Sequence, residues 1–352
     1  MNILFLTKYH SEGPSSRYRS YNYKKFLEKE GIKVEYKPLF YDGYVKNLYA
    51  NKKNLKMKII FSFLFRIYFV LKNKKKYDHI IIEKEMLPYF PYFIEKLLLK
   101  DKNYSLDFDD NPKYRYTKNR ILKILYGNKI DLLAYNAKFV TVGNKWYFDD
   151  FKYNKNFVYI PTVIDIDKYK IKNYSLKNDI VQIVWIGSPS TQNNLFLIKD
   201  VLEEICEKYS NVKFNFIGSN IKLDKINYEN IEWSEEKEVE LIRANDIGIM
   251  PLKNGYWEKG KCGFKLIQYM GCGLPVVASA VSANKEIVKH GYNGFLVGNG
   301  EDWFKYLERL ILNKKQRELM GKNSKNIVED NYSYQKIYKE YMEIIKNGVE
   351  RW

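Results

Sequence analysis

The chain has 352 residues, of which 45% are apolar, and a formal net charge of +18 at neutral pH. This length predicts two or three domains with buried cores, and the apolar fraction excludes a disordered chain. The positive charge favours anionic partners, but the basic residues form no helix-turn-helix, zinc-finger or RNA-binding signature, so nucleic acid is not an expected partner.

The N-terminus and the cysteines are typical of a cytoplasmic protein. The first apolar run, residues 3–7, is too short for a signal peptide and predicts a buried strand. Cys206, Cys262 and Cys272 have no metal-ligand spacing, and their odd number makes no disulfide framework.

The loop after this first strand reads KYHSEGPSSRYR and is a candidate anion site. Gly13 lets the backbone approach a ligand closely, and Ser15 or Ser16 can cap the following helix. His10 and Arg17 add groups that can contact an acceptor or a phosphate. The alternative is a capped helix with exposed arginines, and the sequence leaves both interpretations open.

The rest of the first half alternates helix and strand patterns. A helix is predicted over residues 19–31, where Gly31 ends it. Strands are predicted at residues 34–38, 80–83, 105–108, 139–142 and 157–161.

Residues 57–71, MKIIFSFLFRIYFVL, form an apolar stretch that is too short to span a bilayer and is interrupted by Arg66. Lysines lie at or before its start, at positions 52, 53, 56 and 58, and after its end, at positions 72, 74, 75 and 76. The pattern fits a helix that lies on an anionic membrane surface. It also fits an ordinary buried helix with a basic end, which the lack of a clean polar face slightly favours.

The second half repeats the alternation after a polar stretch, residues 167–179, that is interpreted as a linker. Strands are predicted at residues 180–186, 213–217, 247–250, 275–279 and 294–297. Alternation of this kind predicts parallel sheets covered by helices, and two such sheets predict an α/β protein with a cleft between two domains.

Two glycine turns follow strands of this second series. Gly187 is followed by Ser188, and Gly218 ends the strand at residues 213–217. In open parallel sheets, ligands bind beyond the carboxyl ends of the strands, where both turns fall. The alternative is that each glycine only makes a tight turn, which explains a single turn better than it explains several at corresponding strand ends.

The segment WEKGKCGFKLIQYMGCGLPVVAS, which begins at residue 257, has the strongest functional pattern. Lys261 and Lys265 lie at the entrance to a predicted helix, where backbone amides lack partners and the helix dipole is positive. Phosphates bind at such positions. The lysines, with the amides of Cys262, Gly263 and Phe264, are therefore candidate ligands of a nucleotide diphosphate. The alternative is that both lysines are solvated surface charges.

Residues 268–279 and 286–297 resemble the donor-binding motif of family 4 retaining glycosyltransferases, of the bacterial "glycosyl transferases group 1" type. Residues 161–165 and 13–19 resemble two further stretches of that family. The resemblance implies the GT-B fold, in which two Rossmann-like domains face each other across a cleft. It implies an acceptor domain at residues 1–166, joined by a terminal helix at 335–352 that packs back, and a donor domain at 167–334.

The same resemblance implies an activity. It implies metal-independent, retaining transfer of a sugar, hexosyltransferase-like, from a UDP- or GDP-type donor to a glycan or lipid-linked acceptor, without a cofactor. The setting it implies is bacterial surface polysaccharide or glycolipid assembly, either in the cytoplasm or peripherally at the inner face of the cell membrane.

The sequence departs from the family at the donor site. Gln268 stands where the family has a second Glu that holds the ribose, and Gly260 stands where it has the first Glu, with Glu258 two residues early. The family's early Arg and Lys, which grip the pyrophosphate, are replaced by Ser188 and Asn193. Our hypothesis is that Lys261 and Lys265 supply the missing charge as mobile point charges.

The motif Asp107-Phe108-Asp109-Asp110 ends a predicted strand of the first half. Carboxylates at this spacing can hold a divalent cation against phosphates, as in single-sheet glycosyltransferases. The resembled family binds its donor without metal, and the nucleotide signals lie in the other half, so no metal is expected. The resemblance instead implies Asp109 or Asp110 near the acceptor, and Asp110 is the catalytic candidate there.

Two other classes of function use Rossmann-like units. A dinucleotide-dependent oxidoreductase would have G-x-G-x-x-G after the first strand, and no such run follows Leu6. A non-catalytic nucleotide- or membrane-binding protein on the same scaffold remains an alternative, because the family's Glu and its Arg and Lys are replaced.

Overall fold

The computed structural model describes residues 1–49, 55–175, 179–298 and 301–350. The chain divides into two compact units, one of Met1–Thr162 with Ile337–Trp352 and one of Val163–Lys336. The boundaries predicted from sequence, after residues 166 and 334, differ from these by four and two residues. The first difference arises because Ile164 pairs through its backbone with Ser333, inside the second unit.

The first unit contains a six-stranded parallel sheet with the strand order β2-β1-β3-β4-β5-β6. Both central strands β3 and β4 are buried along their whole length, as expected where helices cover both faces. The strands are β1 (Asn2–Leu6), β2 (Lys33–Tyr36), β3 (His79–Glu83), β4 (Tyr104–Phe108), β5 (Val140–Val142) and β6 (Phe157–Tyr159).

The helices of the first unit are α1 (Pro14–Arg19), α2 (Lys24–Lys29), α3 (Tyr44–Tyr49), α4 (Lys56–Asn73), α5 (Tyr92–Leu98), α6 (Tyr114–Thr117), α7 (Arg120–Tyr126), α8 (Lys129–Asn136) and α9 (Tyr147–Asp150). The single helix predicted over residues 19–31 is wrong. Helix α1 begins earlier, at Pro14, and ends before Ser20, whose backbone (φ −131°, ψ −66°) is not helical. A 3₁₀ turn at Tyr21–Tyr23 then leads into α2.

The second unit has a six-stranded parallel sheet with the order β12-β11-β10-β7-β8-β9. The order runs outward from β7 in one direction and then from β10 in the other, so β7 and β10 flank the point where the direction of winding changes. The strands are β7 (Val181–Ile186), β8 (Val212–Ile217), β9 (Tyr228–Ile231), β10 (Ile247–Met250), β11 (Val276–Ser279) and β12 (Gly294–Val297).

Sequence reasoning missed β9, because this edge strand is half-exposed and polar and has no apolar run. The helices of the second unit are α10 (Lys199–Lys208), α11 (Glu238–Arg243), α12 (Tyr256–Lys259), α13 (Phe264–Gly271), α14 (Asn284–Ile287), α15 (Glu301–Leu312) and α16 (Lys314–Asn331).

The segment interpreted as a linker, residues 167–179, packs against the second unit where it is described. The Tyr174 hydroxyl donates to the Gly273 carbonyl at 2.7 Å, and the Lys172 amide donates to the Cys272 carbonyl at 2.9 Å. Tyr169 and Tyr174 are both buried. The linker interpretation is therefore wrong for these residues, because buried tyrosines fix the segment to the domain surface.

The last helix, α17 (Tyr334–Glu350), belongs to the first unit from Ile337 onward. Its Tyr341 ring lies 4.7 Å from that of Tyr23, and its Tyr338 ring lies 5.0 Å from that of Phe26. Trp352, the last residue of the terminal segment that was expected to pack back on the first domain, lies outside the described residues. No helix within the described ranges is long and apolar enough to cross a bilayer.

Candidate functional site

Helix α13 is fixed over the junction of β7 and β10 by one tyrosine. The Ile186 amide, at the end of β7, donates to the Tyr269 hydroxyl at 2.8 Å. A Cβ at Gly248, in β10, would lie 2.4 Å from the same Tyr269 ring, so only glycine permits this approach. The first turn of α13 is thereby held near the point where ligands bind in doubly wound sheets.

The glycine turns after β7 and β8 touch each other. Gly218 has a φ of +73°, and a Cβ there would lie 2.3 Å from the Gly187 carbonyl oxygen. A Cβ at Gly187 would lie 2.5 Å from the Lys265 ammonium nitrogen and 2.5 Å from the Trp185 ring. The structure therefore brings together three residues that the sequence had proposed separately for the donor site: Gly187, Gly218 and Lys265.

The Lys265 ammonium group is the positive charge nearest to the two glycine turns of this site. It lies 4.0 Å from the centroid of the Trp185 ring and 3.5 Å from the Thr191 hydroxyl. Burial lowers the pKa of Lys265 well below its usual value, and the Lys261 ammonium lowers it further. No carboxylate among the described residues forms an ion pair with Lys265. A desolvated cation without a counter-ion is unfavourable, so the site favours an anion from outside.

The residues before α13 form its N-terminal approach. Lys261 lies with its ammonium 5.1 Å from the centroid of the Trp257 ring. Gly263 is the N-cap, with a φ of +65°, and a Cβ there would lie 2.3 Å from the Ile287 side chain of α14. Cys262 and Phe264, on either side of it, are half-buried. Glycine at 263 thus lets α14 approach the start of α13 closely.

Gln268, the residue that replaces the family's second Glu, is buried next to a carboxylate. Its amide nitrogen donates to Glu238 at 2.8 Å and to the Tyr169 hydroxyl at 3.3 Å. The other oxygen of Glu238 accepts from the Trp233 ring nitrogen at 2.6 Å. A negative charge is therefore restored at this position by Glu238 of α11. Sequence reasoning missed it because Glu238 lies 30 residues before Gln268 and belongs to no motif.

The loops after β7 and β8 contain amides and hydroxyls where the family has cations. The Ser188 and Ser190 hydroxyl oxygens lie 2.8 Å apart. The Gln192 side-chain oxygen accepts from the Ser219 hydroxyl at 2.9 Å and from the Asn220 amide at 3.0 Å, which joins the two loops. Gln192 is a second residue that sequence reasoning missed.

The candidate anion site of the first unit is occupied by a carboxylate of the protein. Glu83, at the end of β3, accepts from the Lys8 amide at 2.8 Å, from the Ser15 hydroxyl at 2.8 Å and from the Ser16 hydroxyl at 2.6 Å. The expected capping role of Ser15 or Ser16 is wrong, because Gly13 is the N-cap of α1 and no side chain caps it.

Gly13 and Arg17 also differ from the expectation. A Cβ at Gly13 would lie 2.5 Å from the Cβ of Tyr9, so the close approach here is to the protein itself. The alternative of exposed arginines is wrong, since Arg17 and Arg19 are each only 3% exposed. The Arg17 guanidinium lies 4.8 Å from the Tyr18 ring centroid, and Arg19 pairs with Asp107.

The D-x-D-D carboxylates are engaged by cations. Asp107 accepts two hydrogen bonds from Arg19, at 3.0 and 2.5 Å, and Lys84 lies 2.7 Å from Asp109 and 3.6 Å from Asp110. Although burial opposes it, the neighbouring carboxylates raise the pKa of Lys84. Burial raises the pKa of Asp109 to about 6. No cluster of three or more His, Cys, Asp or Glu side chains in the described ranges is arranged to hold a metal ion.

A cavity of about 620 Å³ lies between α4 and the loop that follows β2. His10, Lys37 and Lys58 contribute polar groups to its wall, and Phe61 and Phe65 contribute apolar ones. The structure thus places His10 in a pocket of the first unit that suits a ligand with both apolar and anionic parts.

Residues 181–313 match the sequence model of the family described as Glycosyl transferases group 1. An uncharacterized glycosyltransferase of Methanocaldococcus jannaschii is 33% identical over 116 residues, which cover 32% of this chain and 29% of that protein. The capsular polysaccharide biosynthesis glycosyltransferase CapM of Staphylococcus aureus is 23% identical over 261 residues, covering 71% of this chain and 63% of CapM. The chain therefore covers less than two thirds of the length of either relative.

Solved structures match nearly the whole chain. Anabaena HepE in complex with UDP has a TM-score of 0.68 at 15% identity and covers 99% of this chain and 100% of its own. Sucrose-phosphate synthase of Thermosynechococcus elongatus has a TM-score of 0.72 at 13% identity, covering 99% and 98%. Together with the two parallel six-stranded sheets, these matches confirm the expected GT-B fold of two Rossmann-like domains.

Proposed function

We propose that the chain is a glycosyltransferase that moves a sugar from a nucleotide-diphosphate sugar to an acceptor hydroxyl, with the diphosphate bound in the second unit. One observation carries this proposal. The Lys265 side chain is half-buried, and its ammonium lies against Gly187 and Trp185 without a carboxylate partner in the described part of the chain. A diphosphate would supply the missing counter-charge, and the family match at residues 181–313 supports this class of ligand.

The chemistry that we propose for Lys265 is stabilisation of the leaving diphosphate. Negative charge develops on the phosphate oxygens as the bond to the sugar breaks, and an ammonium already in position lowers the free energy of that state. Lys261, whose charge acts on Lys265, would add to the same field. Main-chain groups of Cys262, Gly263 and Phe264 would complete the phosphate site.

For the nucleoside we propose Glu238 and Gln268 as the pair that binds the ribose hydroxyls. A carboxylate accepts hydrogen bonds from both hydroxyls of a ribose, which the amide oxygen of Gln268 does less strongly. The hydrogen bond from Gln268 to Glu238, 2.8 Å long, orients that carboxylate. Gly187 and Gly218 would let the two turns and Lys265 pack together beside the nucleotide, and Ser188 would contact it. HepE, a structural neighbour, was crystallised with UDP, which makes UDP the first ligand to test.

We further propose that transfer is retaining and independent of metal, and that the acceptor binds the first unit. The pairing of Asp109 and Asp110 with Lys84 supports transfer without a metal, because those carboxylates already have a cationic partner. The cavity beside His10 is the proposed acceptor site, with Gly13, Ser15, Arg17 and Asp110 as supporting residues near the same strand ends. The relative CapM is a capsular polysaccharide biosynthesis glycosyltransferase, which supports surface polysaccharide or glycolipid assembly as the setting that we propose here.

The test is nucleotide binding measured by calorimetry and by thermal shift with UDP, GDP, ADP and CMP. We expect one nucleoside diphosphate to bind, and we expect Lys265→Ala to weaken it by at least about tenfold, equivalent to roughly 1.4 kcal/mol. Lys285→Ala is the matched control, because Lys285 is an exposed lysine of the neighbouring helix α14. Its affinity should equal that of the unaltered chain.

Two outcomes would count against the proposal. If none of the four nucleotides binds, or if Lys265→Ala binds as tightly as the Lys285→Ala control, the second unit does not hold a diphosphate as described. If a nucleotide binds but a panel of its sugar conjugates is neither transferred nor hydrolysed, the chain is a binding protein on a GT-B scaffold.

A further inference from the structure

Helix α4 turns an apolar face towards solvent. Its large exposed side chains recur at helical spacing, and each is between 51% and 62% exposed. They are Met57, Ile60, Phe61, Leu64, Phe65, Tyr68 and Leu71. The ordinary buried helix that the sequence slightly favoured is therefore wrong for this face. Surfaces of soluble proteins rarely expose so many large apolar side chains side by side unless they bind something.

The two polar residues in the middle of α4, Ser62 and Arg66, point inward and fix the rotation of the helix. Arg66 is only 2% exposed, and one of its terminal nitrogens donates to the carbonyls of Thr7 and Lys37, at 2.8 Å each. These carbonyls follow strands β1 and β2, so the guanidinium ties the helix to the carboxyl edge of the sheet. Rotating the apolar face inward would break both bonds and expose the charge. Phe63, Ile67 and Val70 still pack on the core of the first unit, so α4 is apolar on its inner face as well as on its exposed face.

The charges around this face select an anionic partner. Residues 43–77 contain nine lysines and one arginine but no aspartate or glutamate. Among the described lysines, exposed ones lie at both ends of the helix, at positions 56, 58, 72, 75 and 76. Phe63 of α4 stacks on Phe90, which lies just before α5, and α5 exposes Phe93 and Leu97 as well.

We propose that α4 docks on an anionic lipid surface, with its apolar face among the upper acyl chains and its terminal lysines among the headgroups. The helix length and its lysines at both ends fit a helix lying in the plane of the interface. The cavity beside α4 continues from this face, since Phe61 and Phe65 belong to both, and its Lys37 and Lys58 suit a phosphate. Resting on the proposed glycosyl transfer, the inference identifies the acceptor as a lipid-linked one that enters from the membrane.

The experiment is sedimentation of the full chain with vesicles of phosphatidylglycerol and phosphatidylcholine, against phosphatidylcholine alone. We expect binding to the anionic vesicles that weakens as salt increases. The variant Leu64→Gln/Leu71→Gln should lower the partition coefficient by at least about tenfold, because two leucines no longer leave water. The variant Lys72→Gln/Lys75→Gln should lower it by roughly 25-fold and reduce its salt dependence.

The matched control is Leu312→Gln/Leu319→Gln. These leucines are 68% and 61% exposed, are also seven residues apart, and lie in the second unit. Their substitution should leave vesicle binding unchanged. Equal loss in the two leucine pairs, or no binding to anionic vesicles at all, would overturn the proposal. A chain dimer that Leu64→Gln/Leu71→Gln dissociates, without vesicle binding, would show instead that the face joins two copies.

Failure of this inference is separable from failure of the proposed activity. Leu64 and Leu71 do not line the cavity, so their substitution should leave nucleotide affinity and the hydrolysis of a soluble sugar nucleotide unchanged. Vesicle binding without nucleotide binding would preserve the docking surface but remove its link to glycosyl transfer. Nucleotide binding without vesicle binding would do the reverse.

Discussion

The two units have similar parallel sheets but treat charge in opposite ways where the direction of winding changes. In the first unit that point lies between β1 and β3, and the Glu83 carboxylate there accepts from the Lys8 amide and from two serine hydroxyls. In the second it lies between β7 and β10, and the Lys265 ammonium there has no carboxylate partner among the described residues. The first unit supplies its own anion, whereas the second requires one.

This difference shows why fold alone does not locate a ligand. Strand ends of both units contain glycine turns, hydroxyls and buried charge, which are the general features of a phosphate site. The balance of charge distinguishes them. Around Lys84 the first unit gathers Glu83, Asp109 and Asp110, while the charged group that acts on Lys265 is another lysine. Variants that remove a counter-charge in one unit, or a ligand-binding charge in the other, test this comparison directly.

The largest effect is expected from Glu83→Ala. This variant removes the carboxylate of the first unit, which then lacks an anion as the second unit does. Three donors lose a charged acceptor, so we expect the free energy of unfolding to fall by about 2–4 kcal/mol, measured by denaturant titration. Inorganic phosphate at millimolar concentration should restore part of that loss, because it can accept from the same donors.

The control for phosphate rescue is the unaltered chain, together with Lys265→Ala. Both controls retain Glu83. Phosphate should therefore stabilise the Glu83→Ala variant more than it stabilises either of them. If phosphate gives Glu83→Ala no additional stability, the carboxylate is structural only and does not stand in for an anionic ligand.

A smaller effect is expected from Glu238→Ala. This variant distinguishes the binding of the nucleoside from the binding of the phosphates in the second unit. The variant removes the carboxylate that Gln268 and Trp233 orient, so UDP affinity should fall by about 10–100-fold. Affinity for pyrophosphate, which has no ribose, should change little. Calorimetric titration with both ligands decides between the roles, since an equal loss for both would indicate general misfolding of the site. Glu235→Ala, a substitution on the segment before α11, serves as the control.

Much of this architecture follows from the sequence, because strand and helix patterns are local. The strands β10 and β12 were predicted at their observed bounds, and Gly187, Gly218 and Lys265 were named before their contacts were known. The sequence could not predict that Glu83 reaches Ser15 and Ser16, because these partners lie 68 and 67 residues away from it. Glu238 was missed for the same reason. Long-range pairing of charges depends on tertiary structure, which no spacing rule contains.

Helix α4 illustrates a different limit. Its composition predicted a helix and left two environments open, because an apolar stretch interrupted by one arginine is consistent with both. The decisive fact is the direction of Arg66, which donates to two carbonyls at strand ends. A sequence pattern gives the periodicity of a helix but not the face that the core holds.

The smallest effect is a pH dependence. Folding stability without ligand should rise with pH, whereas nucleotide affinity should fall. Without ligand the pKa of Lys265 is below its usual value of 10.5, because burial and then Lys261 disfavour the charged form. The unfolded chain therefore binds more protons than the folded chain between the lowered pKa and 10.5, so stability rises with pH across that window. A bound diphosphate favours the ammonium and raises its pKa, so nucleotide binding takes up a proton and its affinity falls as pH rises.

Calorimetry of UDP binding above pH 7.5, in buffers with different ionisation enthalpies, measures this proton uptake apart from the titration of the phosphate. Lys265→Met should abolish the uptake, whereas Lys285→Met should retain it. Lys261→Met sharpens the test, because removing the neighbouring charge should raise the pKa of Lys265 and move the whole window to higher pH. Uptake that persists in Lys265→Met would assign the proton to another group and remove the contrast between the two units.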